Sequence, residues 1–411
     1  MVFGLVTDAL KGGFGDAIDE ALLVLLGIAA LGALATRLIA PQGPSDSLFG
    51  AVFRTSWPWV AMRLLGFAVV ACVYFDAGPV LLRLPDTGIT VVNDIGHNVL
   101  MIYLGGLLLM PLLTEYGLME FAGTLCRPLF RSLFRLPGRA AVDSLTSIAA
   151  AAGIGVLVTI SQYQRGYYSA REAATIACNF SLVSIPFSLL MAQVAKIDHL
   201  FFGWYFAVLV TTVLCAAVLA RLPPLARIAD RYIDGSAATP VAAEASGGLA
   251  AAWTAARRRA ATGPGVRDYL VTASRNFAVT TCGVLGPSLA TATIAAMLLF
   301  HSPVITTLTT PLAQLLSAVG VADAAAIASA VLIGFLDQFL PTLVAAQLGD
   351  PLWRFVLAGL GVCQLVYMAE IGVLLLRSPL PIGMGTLFLV FLLRTALSLP
   401  VLLAFGMLLA R

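Results

Sequence analysis

Stretches of about 20 consecutive apolar residues recur along this chain, and nothing constrains its fold more. A helix of that length crosses the roughly 30 Å hydrocarbon layer of a bilayer. Clear candidates fall at 20–40, 57–82, 96–114, 172–194, 200–221, 277–300, 352–376 and 384–410. Two further stretches, 144–161 and 324–348, are apolar but atypical: the first is rich in Ser, Ala and Gly, and the second carries Asp337, Gln338 and Pro341 in its middle. Only 11% of the 411 residues are charged, 60% are hydrophobic, and mean hydropathy is +0.96. A soluble domain carries about 25% charged residues, so the chain is expected to be an all-α polytopic membrane protein whose first partner is the lipid bilayer. Its net charge of +3 is small and dispersed, which argues against a nucleic-acid polymer as partner.

The usual signatures of enzymes and metal sites are missing from the sequence. Cys72, Cys126, Cys178, Cys215, Cys282 and Cys363 lie far apart, without a CxxC pair, and read as packing residues. His97, His199 and His301 are isolated at expected helix ends. No HExxH, P-loop, GxSxG or GxGxxG occurs, and no cofactor is expected beyond a coupling Na+ or H+. The first apolar run follows Asp8, Asp16, Asp19 and Glu20, whereas a cleavable signal peptide begins with positive charge. The first helix is therefore expected to remain in the mature protein.

Loop charges orient the spans, because cytoplasmic loops carry an Arg/Lys excess. Arg127, Arg131, Arg135 and Arg139 follow the third span, Arg165 and Arg171 flank the next connection, and Arg227, Arg231, Arg257, Arg258, Arg259 and Arg267 fill a long loop after Arg221. Placing all of these inside requires 144–161 to enter and leave by the same face, and the same treatment of 324–348 leaves 301–323 and both chain ends outside. If every stretch spanned, Arg127–Arg139 would lie outside, against the rule. The sequence thus predicts about eight transmembrane helices plus two re-entrant helical hairpins in a bacterial cell inner membrane. Arg127, Arg131 and Arg135 share a helical face opposite Leu125, Leu129 and Phe134, the pattern of an interfacial amphipathic helix whose arginines reach the headgroups.

The two halves match weakly. Thr124-Leu125-x-x-Pro128-Leu129 echoes Thr307-Leu308-x-x-Pro311-Leu312; each copy then enters its hairpin near Ser144 or Ser329, and the following helices carry Asn179 and Gln364. With the topology above the second copy is inverted, and inverted repeats with broken helices are a transporter feature. The expected organisation is an N-terminal two-helix segment (1–94), a first repeat (95–222), a flexible cytoplasmic loop (223–268) with a short surface helix over Ala251–Ala260, and a second, inverted repeat (269–411).

Ionisable and amide groups inside membrane helices are costly and mark candidate sites. Glu115 closes the third span, either as a site carboxylate or as a solvated helix end. Asn179, Ser181 and Ser184 precede Pro186, which interrupts helix hydrogen bonding and bares carbonyls; Asn179 alternatively cements helix packing. Asp337 and Gln338 sit in a Gly334-to-Pro341 break, and Gln364 and Glu370 lie about two turns apart in one apolar segment. Together these eight are the candidate substrate- or ion-binding residues. Arg394 reads as a structural partner of one of the acids or as a residue snorkelling from a helix end. Asp143 and Ser144 read as N-caps of the first hairpin helix, and the small residues Ala149–Gly155 permit close backbone approach.

The strings Leu136-Pro137-Gly138-Arg139-Ala140-Ala141-Val142-Asp143-Ser144, Gln162-Tyr163-x-x-Gly166-Tyr167-Tyr168-Ser169-Ala170-Arg171-Glu172-Ala173-Ala174 and Asn179-Phe180-Ser181-Leu182-Val183-Ser184-Ile185-Pro186 resemble the YjiH-like branch of the nucleoside recognition (Gate) domain membrane proteins. The likeness is strongest over about 95–220, and Phe335-Leu336-Asp337-Gln338-Phe339-Leu340-Pro341 extends it. Gate-domain proteins are similar to part of the concentrative nucleoside transporters, so the resemblance implies two hairpins and two broken helices, here those of Asn179 and of Gln364/Glu370, around a midplane site. One departure is that Ala149–Ala152 stands where relatives favour a Ser-rich hairpin. The expected function is secondary transport of a small polar solute, nucleoside-like, driven by Na+ or H+ with the hairpins as gates. A membrane-embedded enzyme lacks a nucleophile or a carboxylate dyad in the sequence, while a non-transporting scaffold or regulatory subunit remains the alternative. Oligomeric state is left open.

Overall fold

The structure, a computed structural model, describes residues 17–39, 48–97, 99–101, 103–105, 111, 115–149, 152–183, 185–236 and 248–410. Among these the regular elements are helices, and no strand occurs. Six helical stretches are long and apolar enough to cross a bilayer: Ala17–Ile39, Trp57–Tyr74, Asp198–Leu219, Val266–Phe300, Pro351–Arg377 and Met384–Leu409. The fold is that of an all-α polytopic membrane protein. Large apolar side chains left exposed on the helices, such as Val24, Ile28 and Leu31 or Phe202, Phe206 and Leu214, suit a lipid surround. Most of the expected 96–114 span and the site candidate Ser184 lie outside the described residues.

By its internal packing the chain forms two compact units, each drawn from both sequence halves. The first contains Met1–Leu109 and Arg267–Leu340; the second contains Met110–Val266 and Pro341–Arg411.

In the first unit, α1 (Ala17–Ile39) and α2 (Trp57–Tyr74) pack on each other, and α2 packs on the continuous 35-residue helix Val266–Phe300. That long helix has three parts: α10 (Val266–Thr280 in this numbering), a π-turn at Thr281–Leu285, and α11 (Gly286–Phe300). Gly66 sits against the backbone of Gly286: a Cβ at Gly66 would lie 2.8 Å from the Gly286 Cα. Such backbone-to-backbone approach is how small residues bind helices in lipid, where no hydrophobic force draws them together. Buried Arg63 donates from Nη1 to the Val52 carbonyl at 2.9 Å. Helices α12 (Val304–Ala318) and α13 (Ala324–Ile333) pack side by side, with the Thr309 and Ser329 hydroxyls 3.3 Å apart. The 301–323 segment, which has no Arg or Lys, is thus largely helical.

The second unit contains α3 (Leu118–Leu129), α4 (Ala140–Ala149), α5 (Ala152–Gln164), α6 (Ala170–Asn179), α7 (Ile185–Val194), α8 (Phe201–Leu219) and α9 (Leu249–Ala261). It closes with α14 (Leu340–Gln347), α15 (Pro351–Cys363) and α16 (Met384–Leu409). Helices α8, α15 and α16 form its long-helix core, in which the Trp204 indole, fully buried, donates to the Phe355 carbonyl at 3.1 Å. Helices α4 and α5 run side by side over the expected 144–161 hairpin, and α5 packs on α6. At 1.5 Å per residue these two helices are only about 15 and 20 Å long, short of a hydrocarbon layer. The α13–α14 pair over 324–348 is similarly short.

Both halves follow one element order: an amphipathic helix (α3, α12), two short helices (α4 and α5, α13 and α14), then a helix that is interrupted (α6–α7, and α15 with its continuation). The two stretches that read as single spans at 172–194 and 352–376 are therefore each broken. Pro186 is the second residue of α7, where a missing N–H costs nothing, so it begins a helix instead of kinking one.

Several local expectations are corrected. Asp143 and Ser144 do not cap a hairpin helix, because α4 already begins at Ala140; Ser144 Oγ donates to the Ala140 carbonyl at 2.8 Å. The amphipathic helix runs Leu118–Leu129 and ends in a π-turn through Phe134, with Arg135 in the left-handed region at φ 57°. Residues 237–247 of the 223–268 loop lie outside the described residues, and the short helix expected over Ala251–Ala260 is present. This helix, α9, spans Leu249–Ala261, packs on α3 and sets Trp253 edge-on to Phe121.

Candidate functional site

The site is assembled at the two helix breaks of the second unit. Helix α6 is positioned at its start by a capping box: Ser169 Oγ accepts from the Glu172 N–H at 3.2 Å, and the Glu172 carboxyl accepts from the Ser169 N–H at 2.9 Å. Satisfying two orphan N–H groups in this way fixes where a helix begins. Asp230 accepts from Ser169 Oγ and pairs with Arg171, while the Ala170 N–H donates to the Arg231 carbonyl at 2.8 Å. The loop after α8 is thereby tied to the first turn of α6.

At the other end, α6 stops at Asn179. Its side chain is fully buried, with Nδ2 donating to the Thr175 carbonyl at 2.9 Å. Ser181, also buried, donates from Oγ to the Ala177 carbonyl at 2.6 Å. Both polar side chains therefore fold back on the end of their own helix, where four carbonyls have no helical partner.

The second break follows Cys363. Gln364 still bonds helically, N–H to the Leu360 carbonyl at 2.9 Å, but Leu365 takes a left-handed φ of 55°. That conformation costs a Cβ-bearing residue about 1–2 kcal/mol, and such strain persists only where its surroundings enforce it. The chain re-enters a π-turn at Met368–Gly372 and ends helically at Val373–Arg377. Buried Gln364 donates from Nε2 to Thr395 Oγ1 on α16 at 3.0 Å.

Arg394 joins the two breaks. It is fully buried on α16, donates from Nε to the Cys363 carbonyl at 2.7 Å, and donates from Nη1 to Asn179 Oδ1 at 2.9 Å. Among the described residues no carboxylate pairs with it. Its partners are an amide oxygen and a helix-end carbonyl, so it neither partners an acid nor snorkels to an interface as the sequence suggested.

Glu370 lies beyond the second break, and its Oε2 accepts from the Tyr367 hydroxyl at 2.8 Å. Its other oxygen sits where a side chain on Gly153 would be: a Cβ there would overlap Oε1 and lie 2.9 Å from Cδ. Gly153 is the second residue of α5, so the carboxyl rests on the positive end of a helix. The same hairpin carries buried Asp143, which accepts from Thr159 Oγ1 at 2.9 Å and is hydrogen-bonded by Tyr168, with the Arg139 charge nearby.

Of the remaining candidates, Glu115 and Asp337 have partners of their own. Glu115 pairs with Arg259 of α9, and the Tyr116 hydroxyl donates to the Pro264 carbonyl at 2.8 Å; the carboxylate thus anchors the loop. Asp337 and Gln338 belong to the first unit. Buried Asp337 accepts through Oδ1 from the N–H groups of Phe339 at 2.8 Å and Leu340 at 3.3 Å, the hydrogen bonding of a cap ahead of α14. The Gln338 Oε1 is buried without a hydrogen-bond partner among the described residues. The structure therefore brings together Asn179, Ser181, Gln364 and Glu370, and adds Arg394, Thr395, Tyr367 and Gly153. Of these additions Arg394 carried a signal in the sequence as a charge inside an apolar span, and Gly153 as part of the small-residue run Ala149–Gly155.

Interrupted helices with buried polar groups at the breaks define a transporter-like helical membrane protein. The nucleoside recognition (Gate) family profile matches residues 97–198, which include the first hairpin and the first helix break. An uncharacterized protein of Alkalihalophilus pseudofirmus is 35% identical over 402 residues, covering 97% of this chain and 87% of that relative. No solved structure matches the chain. The chain belongs to the Gate-domain family of membrane proteins.

Proposed function

We propose that this protein is a secondary transporter of a small polar solute, nucleoside-like, in a bacterial inner membrane, driven by Na+ or H+. The observation that supports it most is the pair of helix interruptions after Asn179 and Cys363, held in one unit with their polar side chains turned inward. A buried amide or guanidinium inside apolar helices is costly, and an uninterrupted bundle would be the more stable solution for a purely structural protein. In this reading the short α4–α5 and α13–α14 pairs enter and leave by one membrane face and act as gates. Glu370 against Gly153 then ties the first gate to the second broken helix.

The test is uptake into proteoliposomes of labelled nucleosides, amino acids and dipeptides, with imposed Na+ or H+ gradients. Gradient-dependent uptake that falls at least tenfold in Asn179→Ala and Gln364→Ala together supports the reading. Uptake unchanged by the double substitution would remove these residues from the site, and no uptake of any solute would remove the function.

A further inference from the structure

The environment of Arg394 bears on how such a transporter is coupled. The C-terminal end of a helix carries partial negative charge on carbonyls that have lost their helical partners. Where transporter helices are broken, these ends and the unwound carbonyls coordinate the driving cation. Here α6 and α15 both end at such breaks, and one guanidinium reaches both: Nε to the Cys363 carbonyl at 2.7 Å and Nη1 to Asn179 Oδ1 at 2.9 Å. Its third arm, Nη2, is buried without a hydrogen-bond partner among the described residues.

A buried Arg ordinarily rests on a carboxylate. Among the described residues the ionisable groups that act on Arg394 are the thiols of Cys178, Cys215 and Cys363, and Cys215 Sγ is itself 3.3 Å from Ser398 Oγ. What the described residues set against its charge is one helix-end carbonyl, that of Cys363, and the Asn179 amide oxygen, neutral oxygens of the kind that suit a monovalent cation. Helix α16 is continuous from Met384 to Leu409, so the guanidinium is fixed to a rigid element.

We propose that Arg394 is a tethered cation that permanently fills the position at the paired helix breaks which a coupling Na+ would otherwise take. Two like charges cannot share those few oxygens, so the breaks bind no free Na+. This rests on the transport reading for its significance, and it narrows that reading: ion coupling proceeds through protons and not through Na+.

The experiment uses the purified full-length chain and follows thermal unfolding in NaCl, LiCl and choline chloride at equal ionic strength. The wild type is expected to melt at the same temperature in all three. A saturable, Na+-specific rise of about 2 °C or more, the size expected near ten times a dissociation constant, would overturn the proposal. Arg394→Ala is expected to melt lower and to recover several degrees with millimolar Na+ or methylguanidinium but not with choline. An Arg394→Ala protein that folds and responds to neither cation would also overturn it. If that variant does not fold, the wild-type titration still decides. None of these measurements reads uptake, so failed transport and a failed cation assignment are separate results.

Discussion

Replacing Gly153 by Ala tests whether the hairpin and the second helix break are mechanically joined, because two opposing effects predict opposite signs. Helix propensity alone favours Ala over Gly by up to about 1 kcal/mol, so a hairpin helix without close neighbours would become more stable. In the structure the new Cβ would overlap Glu370 Oε1 and lie 2.9 Å from Cδ and 3.3 Å from Cγ. The carboxyl must swing away, giving up its contact with the α5 N-terminus and the Tyr367 hydroxyl bond at 2.8 Å. A hydrogen bond to a charged group is worth about 1.5–3 kcal/mol, and the helix-end contact about 0.3–1 kcal/mol. The net expectation is destabilisation by about 1–3 kcal/mol, a fall in melting temperature of roughly 2–10 °C for a body of this size. Thermal unfolding of Gly153→Ala, Glu370→Ala and the double variant completes a cycle. In the Glu370→Ala background the added methyl should be harmless or stabilising. A single Gly153→Ala variant as stable as the wild type, or more so, would refute the contact between hairpin and broken helix.

Other substitutions probe the remaining elements. Gly66→Ala drives a methyl into the Gly286 backbone, with 2.8 Å to its Cα; because backbone cannot step aside as a side chain can, a loss above about 2 kcal/mol is expected, read as a lower melting temperature. Trp204→Phe removes the 3.1 Å indole donor from the Phe355 carbonyl, which keeps its helical partner inside α15, at a cost of about 0.5–1.5 kcal/mol, detectable by thermal unfolding. Asp337→Asn keeps an oxygen for the Phe339 and Leu340 N–H groups, so its stability should stay near wild type, whereas Asp337→Ala should lose about 1 kcal/mol. Uptake measured beside stability then separates roles: loss of uptake in a stable Asp337→Asn protein marks a ligand contact, and retained uptake marks a cap.

What was legible in the sequence follows from the range of the forces involved. The long helices declare themselves through local hydropathy, and the first break through Pro186 together with the cluster Asn179, Ser181 and Ser184. The second break has no such local mark. Residues 363–367 contain neither Pro nor Gly. Gln364 and Glu370 stood out as polar groups in an apolar run and Gln364 as the counterpart of Asn179, but a break there was implied only by the resemblance to a family; physically, Leu365 is turned left-handed where the helix-end carbonyl of Cys363 is taken up by Arg394, 31 residues on. Partners that far apart leave no periodic trace. For the same reason Glu115 looked like an intramembrane acid until Arg259, 144 residues away, was seen beside it, and Arg394 suggested an acid where it has an amide oxygen and a carbonyl.

The 35-residue helix Val266–Phe300 has a consequence of its own. At 1.5 Å per residue it is about 52 Å long, and fitting it within a 30 Å hydrocarbon layer would demand a tilt of about 55°, beyond the roughly 40° upper range of membrane helices. Some of it must stand in water or among headgroups. Its first three turns are the part suited to that, since Arg267, Asp268, Ser274 and Arg275 are all exposed there. The helix is therefore a spacer as well as a span. It carries its own first turn about 10–15 Å clear of the apolar layer.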